Sequence, residues 1–211
     1  MLNRMLKNYC AGLIRAYSRF NSETVLARLK PVRNVSQHPA RLLLLLILFI
    51  PFAGQAMAPL PASVSGAMPD LRPAGEGRLR WLGLHIYDAA LWTRSDAVTV
   101  QSEFALDIRY ARNIPAKRLV NTSVKEMRRL GFGDREILRQ WAAEMARVFP
   151  DIRKGDRLTG VNLPGVGAQF YHNGRLVGTV ADDQFALAFF SIWLDPRTRE
   201  PGLRESLIGQ S

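Results

Sequence analysis

The side chains best suited to chemistry lie close together on one stretch of the chain. His85 and Tyr87 are two residues apart, so on a strand they share a face with Trp81. Arg78 and Arg80 come just before them. A cation and hydrogen-bonding groups at one end of an apolar cleft suit an amphipathic ligand with a carboxylate or a phenolate. It is equally consistent with the sequence that Tyr87 is a core aromatic and that His85 is a hydrogen-bonded structural residue.

Other kinds of reactive site lack their sequence signatures. A catalytic metal needs three or four converging ligands, and the chain after Met57 has only the histidines His85 and His172 and no cysteine. No Gly-x-Ser-x-Gly elbow and no phosphate-binding loop ending in Gly-Lys-Ser/Thr is present. The glycines at 160, 165 and 167 surround a predicted hairpin turn rather than a helix N-terminus. The sequence therefore predicts no catalytic residues of these types, no metal and no cofactor.

Strands and helices of the usual kinds can position these side chains. Residues 79 to 92 alternate with apolar residues on both sides, which predicts one long strand covered on both faces, and residues 104 to 110 predict a second strand. Asn113 and Asp134 are predicted to cap two helices, which end at Gly131 and Pro150. An antiparallel meander is predicted at residues 157 to 163, 166 to 171 and 175 to 180, with Asn173-Gly174 as a two-residue hairpin turn. Two further helices complete the pattern at residues 182 to 195 and 203 to 208. Asp182 and Asp183 are predicted to cap the first of these, and its aromatic stripe from Phe185 to Trp193 is predicted to be core. The order predicts an α+β fold, an antiparallel β-sheet with a layer of helices on one face.

The 211 residues carry a formal net charge of +11, and the charge is concentrated at the N-terminus. Residues 1 to 41 hold eight basic residues and one acidic residue, and the leucine-rich run Leu42–Ile50 follows. A basic region, a short apolar core and small residues are typical of a secretory signal, here with cleavage after Ala56. Cleavage predicts a periplasmic or secreted protein, and the alternative is anchoring in a membrane through residues 42 to 58.

Two features of this N-terminal region bear on the organisation of the chain. Its basic part is far longer than that of an ordinary signal, and its arginine-rich, acid-poor composition also resembles an organelle transit peptide. The sequence is thus divided into residues 1 to 56, a proline-rich linker over 57 to 75, and a folded domain over 76 to 211. The domain has no dense basic face or recognition helix, so nucleic-acid binding is not expected.

Three stretches together resemble a known family. They are Gly75–Trp92, Phe149–Gly160 and Asp182–Arg197, and they resemble the bacterial secreted branch of the chalcone isomerase-like proteins over about residues 75 to 209. The resemblance implies an antiparallel sheet, a helical layer and a ligand cleft between the two.

The resemblance also implies where the polar groups of the cleft should lie. Plant chalcone isomerases use an arginine, a threonine, a tyrosine and an asparagine. The arginine corresponds to Arg80, or to Arg78 if the register slips, and the threonine position is His85. The asparagine position falls on Thr122 and the tyrosine position on Pro115, so only the cation is retained. The candidate ligand-binding residues are Arg80, His85, Tyr87 and Thr122.

These residues lead to one main hypothesis and two alternatives. The main hypothesis is a secreted, non-catalytic domain that binds a small amphipathic or fatty-acid-like ligand, with membrane contact only through an uncleaved signal segment. The first alternative is an isomerase or lyase acting on an enone-like substrate, with Arg80 as electrostatic stabiliser and Tyr87 or His85 handling the proton. The second is a structural or interaction module of the cell envelope.

Overall fold

The structure is a computed structural model that describes residues 58 to 95 and 97 to 210. The predicted signal segment and its cleavage position after Ala56 lie outside the described residues. No helix in the described part of the chain is long and apolar enough to cross a membrane.

Six strands form a single antiparallel sheet in which every strand pairs with its neighbours in sequence. The strands are β1 (Arg72–Trp81), β2 (Leu84–Thr93), β3 (Phe104–Tyr110), β4 (Arg157–Leu163), β5 (Gly167–His172) and β6 (Arg175–Val180). The predicted strand over 104 to 110 and the three meander strands are confirmed, and Asn173 and Gly174 both have positive φ in the predicted two-residue turn. The predicted α+β architecture is thereby confirmed.

Of the five helices in the described part of the chain, four build the layer over the inner face of the sheet. The helices are α1 (Ala62–Ala67), α2 (Ala116–Leu130), α3 (Arg135–Val148), α4 (Asp183–Leu194) and α5 (Pro201–Leu207). Alternate residues of β3, from Phe104 to Tyr110, are buried with the apolar faces of α2, α3 and α4 in the main core. The inner face of the sheet is therefore the one that faces the helices.

The helix-capping predictions were right for two helices and wrong for one. The carboxylates of Asp134 and Asp182 accept hydrogen bonds from the first turns of α3 and α4, as expected. Asn113 does not cap α2, because its side-chain oxygen accepts a hydrogen bond from the amide of Lys154 at 2.8 Å. Instead, the carboxylate of Asp151 accepts a hydrogen bond from the amide of Ala116 at 2.8 Å, so a residue distant in sequence satisfies the first amide of α2.

The long strand predicted over residues 79 to 92 is wrong, because the chain turns back between β1 and β2. Leu82 and Gly83 form a two-residue turn in which both residues have positive φ, 49° and 77°. A leucine is not a turn residue by composition, and the apolar alternation runs through the turn without a break. For these two reasons the sequence pattern did not indicate a hairpin.

The predicted linker also differs from the structure over its described residues. The segment contains α1 and the start of β1, and its apolar side chains pack on the outer face of the sheet. Leu60, Val64 and Met68 are buried against Ala105 and Val161. We call residues 58 to 71 the N-terminal strap. Burial of these side chains explains why a proline-rich segment without periodicity is ordered here.

A buried ion pair fixes the strap to the outer face. The Asp107 carboxylate is paired with the Arg157 guanidinium, whose Nε lies 3.1 Å from Oδ2, and it also accepts a hydrogen bond from the Thr159 hydroxyl at 2.7 Å. The same guanidinium donates to the carbonyl oxygen of Pro59 at 2.9 Å. Asp107 is thus fully hydrogen-bonded, which a buried carboxylate requires.

Candidate ligand-binding site

A cavity of about 750 Å³ lies between the inner face of the sheet and helices α2 and α4. Strands β1 to β5 form its floor, and the connection between α4 and α5 contributes to its rim. Gly160 in the floor allows the ring of Phe190 to approach, since a Cβ there would lie 3.0 Å from that ring.

The walls of the cavity are largely aliphatic and aromatic. The aromatic residues include Phe149, Phe170, Phe189 and Phe190, whose rings pack edge-to-face or tilted with centroids about 5 to 6 Å apart. The aromatic stripe of α4, which the sequence predicted to be core, therefore contributes both to the core and to the cavity wall. Phe185 lies within the core, whereas Phe189 and Trp193 also face the cavity.

Two tyrosines provide hydroxyl groups inside this apolar space. The rings of Tyr87 and Tyr110 meet edge-to-face with centroids 5.9 Å apart, and the indole nitrogen of Trp193 donates to the Tyr87 hydroxyl at 2.9 Å. Burial raises the pKa of Tyr87 well above its usual range, although the Trp193 hydrogen bond lowers it in part. Burial likewise raises the pKa of Tyr110. Both phenols therefore stay neutral over the physiological pH range and present a donor as well as an acceptor.

Basic side chains gather at the mouth of the cavity, on the exposed part of α2. Arg118, Thr122 and Lys125 follow one another at helical spacing and all line the cavity. In the described part of the chain no carboxylate lies within 4 Å of Arg118 or Lys125. Arg199, in the connection between α4 and α5, is instead paired with Glu126 of α2 at 3.0 Å.

Two of the four candidate residues taken from the sequence line the cavity, and two lie outside it. Tyr87 and Thr122 line the cavity, whereas Arg80 and His85 do not. The bulge of β2 at Ile86, where Leu79 pairs with Tyr87 but Arg80 pairs with His85, separates His85 from Tyr87. Arg80 lies between Leu79 and Trp81, which both line the cavity, so strand alternation directs it to the other face.

The bulge places His85 on the same face of the sheet as Asp88. The Nε2 atom of His85 lies 3.1 Å from Asp88 Oδ1, which also accepts a hydrogen bond from Arg78 at 2.6 Å. Asp88 directly follows Tyr87 and so points away from the cavity. His85 and Arg78 therefore belong, with Asp88, to a small polar cluster on the outer face.

The basic residues at the mouth were not identified from the sequence. Their one sequence signal is the spacing of Arg118 and Lys125 around Thr122, three polar positions on one face of an amphipathic helix. Exposed basic residues are common on helices. Their spacing therefore does not by itself predict a binding site. Within residues 58 to 95 and 97 to 210, no group of three His, Cys, Asp or Glu side chains is arranged to hold a metal ion.

The described domain matches a known protein family. The family model described as "Chalcone isomerase-like" matches residues 58 to 209, which is most of the chain. The chain belongs to the chalcone isomerase-like family. The match begins in the N-terminal strap, so the strap is included in the family's domain rather than preceding it.

Among solved structures, the chalcone isomerase-like fold is shared with a fatty-acid binding protein of Arabidopsis thaliana. The two structures superpose with a TM-score of 0.52 at 14% sequence identity, over 66% of this chain and 87% of the plant chain. At this identity the likeness concerns the fold. No curated protein matches the chain.

The polar positions of plant chalcone isomerases do not come together in this member of the family. Thr122, to which the resemblance assigns the asparagine position, lines the cavity, and Pro115, to which it assigns the tyrosine position, immediately precedes α2. Arg80 and His85, at the arginine and threonine positions, lie outside the cavity. Arg80, the one cation that the resemblance implies is retained, therefore does not line the cavity.

Proposed function

We propose that this domain binds a small amphipathic molecule with an apolar tail and an anionic end, such as a fatty acid, and that it does so without catalysis. The observation that carries the proposal is the cavity of about 750 Å³, which combines apolar walls with a basic mouth. Its volume is within the range of about 300 to 1,000 Å³ that small-molecule sites occupy. Each methylene group transferred from water to such walls contributes about 0.8 kcal/mol. The fatty-acid binding protein that shares the fold adds support.

The anionic end of the ligand is assigned to α2. Arg118 offers a planar set of donors for a carboxylate, and the Thr122 hydroxyl lies one helical turn further along the same face. Tyr87 and Tyr110 are neutral donors deeper in the cavity, where a polar group within the ligand would meet them. Arg118 thus takes the place that the sequence assigned to Arg80.

The absence of catalysis is proposed because few groups in the cavity can move a proton. The isomerase or lyase hypothesis requires a cation and a base next to the substrate, supplied by Arg80 and by His85 or Tyr87. Of these three residues only Tyr87 lines the cavity, and the raised pKa of its phenol makes it a poor base. Measuring turnover of a panel of chalcones tests this alternative directly.

We also propose that the domain is exported, to the periplasm or the medium, as in the bacterial secreted branch of the family. The basic region, the leucine run and the small residues up to Ala56 support export. The mass of the protein recovered from its native cells tests this, since cleavage after Ala56 leaves a chain that begins at Met57. A recovered chain that keeps residues 42 to 56 would support anchoring instead.

The ligand proposal is tested by mass spectrometry of lipids extracted from the purified domain, with displacement of a fluorescent fatty-acid analogue as a second measurement. We expect a reproducible set of acyl compounds and displacement of the analogue by long-chain carboxylates more readily than by short ones. Leu106→Ala or Leu158→Ala would enlarge the cavity at its floor. Either substitution should therefore shift the acyl chain length that the protein prefers. An extract without acyl compounds, combined with no binding of the analogue, would rule the proposal out.

A further inference from the structure

The turn between β1 and β2 exposes an unusual amount of apolar surface. Trp81 is 62% exposed, Leu82 81% and Leu84 47%, and we call residues 81 to 84 the hairpin tip. In the described part of the chain the three other large apolar residues that are exposed are far apart in sequence, at Ile137, Val166 and Leu176. Single exposed apolar residues are ordinary, whereas a cluster rimmed by polar groups marks an interaction surface.

The backbone conformation at the hairpin tip is unfavourable for the exposed leucine. Leu82 has a φ of 49°, in the left-handed region where asparagine, aspartate and glycine are favoured in two-residue turns. A leucine at this position strains the backbone and leaves its side chain in water, so neither folding nor solubility benefits from it. Binding to an apolar partner is the property that would benefit.

Two arginines flank the hairpin tip. Arg80 directly precedes it, and Arg112 is brought beside β2 because the amide of Ala111 donates to the carbonyl of Ile86 at 2.9 Å. No carboxylate of the described residues lies within 4 Å of either guanidinium. An apolar tip between unneutralised cations has the character of a surface that meets both the apolar interior and the anionic headgroups of a bilayer.

We propose that the hairpin tip docks on an anionic lipid bilayer, with Leu82 and Trp81 inserted among the acyl chains and Arg80 and Arg112 against the phosphates. Tryptophan is enriched at such interfaces, because its ring is apolar and its N–H is polar. This contact differs from the sequence-based expectation that the membrane is met only through an uncleaved signal segment.

The position of the hairpin tip relative to the cavity gives the docking a consequence. Trp81 and Leu84 belong both to the tip and to the cavity lining, so the end of the cavity that they line would face the membrane surface. An amphipathic molecule could then pass between bilayer and cavity without crossing much water. That last step rests on the proposed ligand binding, whereas the docking itself does not.

Leu82 is the residue that separates docking from ligand binding, because it is exposed and does not line the cavity. The test uses the chain from Met57, which retains the strap, all six strands and both apolar clusters of the described domain. Its sedimentation with vesicles of phosphatidylcholine containing phosphatidylglycerol is compared with that of Leu82→Asn. Val166→Asn is the matched control, an exposed apolar residue in a different turn.

We expect the unmodified chain to bind the anionic vesicles and Leu82→Asn to bind about tenfold or more weakly, as the loss of one inserted leucine implies. The same variant should melt at an equal or higher temperature, since asparagine accepts a positive φ. Val166→Asn should bind as the unmodified chain does. Arg80→Ser should weaken binding to the anionic vesicles about fivefold, the effect of one basic residue near such a surface.

Three outcomes would overturn the docking proposal. The first is failure of the unmodified chain to bind anionic vesicles, and the second is equal binding by Leu82→Asn. The third is self-association of the unmodified chain that Leu82→Asn abolishes while neither protein binds vesicles, which would make the tip a contact between two copies. Displacement of the fluorescent fatty-acid analogue is measured on the same variants, and it should be unchanged in Leu82→Asn whichever way the vesicle experiment falls.

Discussion

Replacement of Arg118 by methionine tests the assignment of the ligand's anionic end. Methionine replaces the apolar stem of the side chain and removes the guanidinium. Because Arg118 is exposed and has no carboxylate partner within 4 Å among the described residues, its removal should change the melting temperature of the ligand-free protein little. The effect should appear only when an anionic ligand is present.

The size of that effect follows from the contact itself. A hydrogen bond to a charged group contributes about 1.5 to 3 kcal/mol, so loss of the Arg118 contact should weaken binding about 10- to 100-fold. At a ligand concentration 100 times the dissociation constant, binding stabilises the unmodified protein by about 2.7 kcal/mol. The variant would gain about 0.4 to 1.4 kcal/mol. For a domain of this size the melting temperature would rise about 5 to 11 °C in the unmodified protein and about 1 to 6 °C in the variant.

The assay is thermal unfolding followed by circular dichroism, with decanoate below its micelle concentration and with decanol as an uncharged counterpart. Arg128→Met is the control, because Arg128 is an exposed arginine on the same helix that does not line the cavity. Arg80→Met should behave like this control. Equal decanoate-induced shifts in Arg118→Met and the unmodified protein would refute the assignment. A loss of the decanol shift as large as that of the decanoate shift would refute it too, because the effect would then concern packing.

Three further predictions concern stability. Arg157→Met leaves the buried Asp107 carboxylate without its cation, so it should cost about 3 kcal/mol in urea unfolding, and adding Asp107→Asn should recover part of that loss; additive effects would contradict the reasoning. Hydrogen bonds from Asn173 and from the Arg153 amide hold the pKa of Asp156 below its usual range, so its contribution is present above about pH 4 and is lost as pH falls through the lowered pKa. The stability deficit of Asp156→Asn, measured by chemical unfolding, should therefore shrink below about pH 4, and a constant deficit would exclude this role. Asp134→Ala removes a cap that accepts from two amides of α3 and should cost about 1 kcal/mol, whereas Asp134→Ser should restore most of it.

Local chemistry in the sequence was sufficient for much of the fold. The strand over 104 to 110, the Asn173-Gly174 turn and the Asp134 cap each depend on residues within a few positions of one another, and each was found where it was expected. The order of elements then implied an α+β fold with an antiparallel sheet.

Features that depend on distant partners were the ones missed. The strap is ordered because Leu60 and Val64 find an apolar surface made by β3 and β4, and no pattern within the strap shows that surface. The first amide of α2, that of Ala116, donates a hydrogen bond to Asp151, which is 35 positions away in sequence. Neither contact leaves a trace in the local sequence.

The candidate site shows the same division most clearly. The sequence alone determined that an arginine, a histidine and a tyrosine occur close together on strand-forming residues. Which of them faces the cavity was decided by the pairing of β1 with β2, because one extra residue at Ile86 turns His85 to the outer face while Tyr87 stays inside. Arg118 became a candidate only when α2 packed over the sheet. A side chain's type is written in the sequence, but its face depends on the register between strands, and register is a property of the assembled sheet.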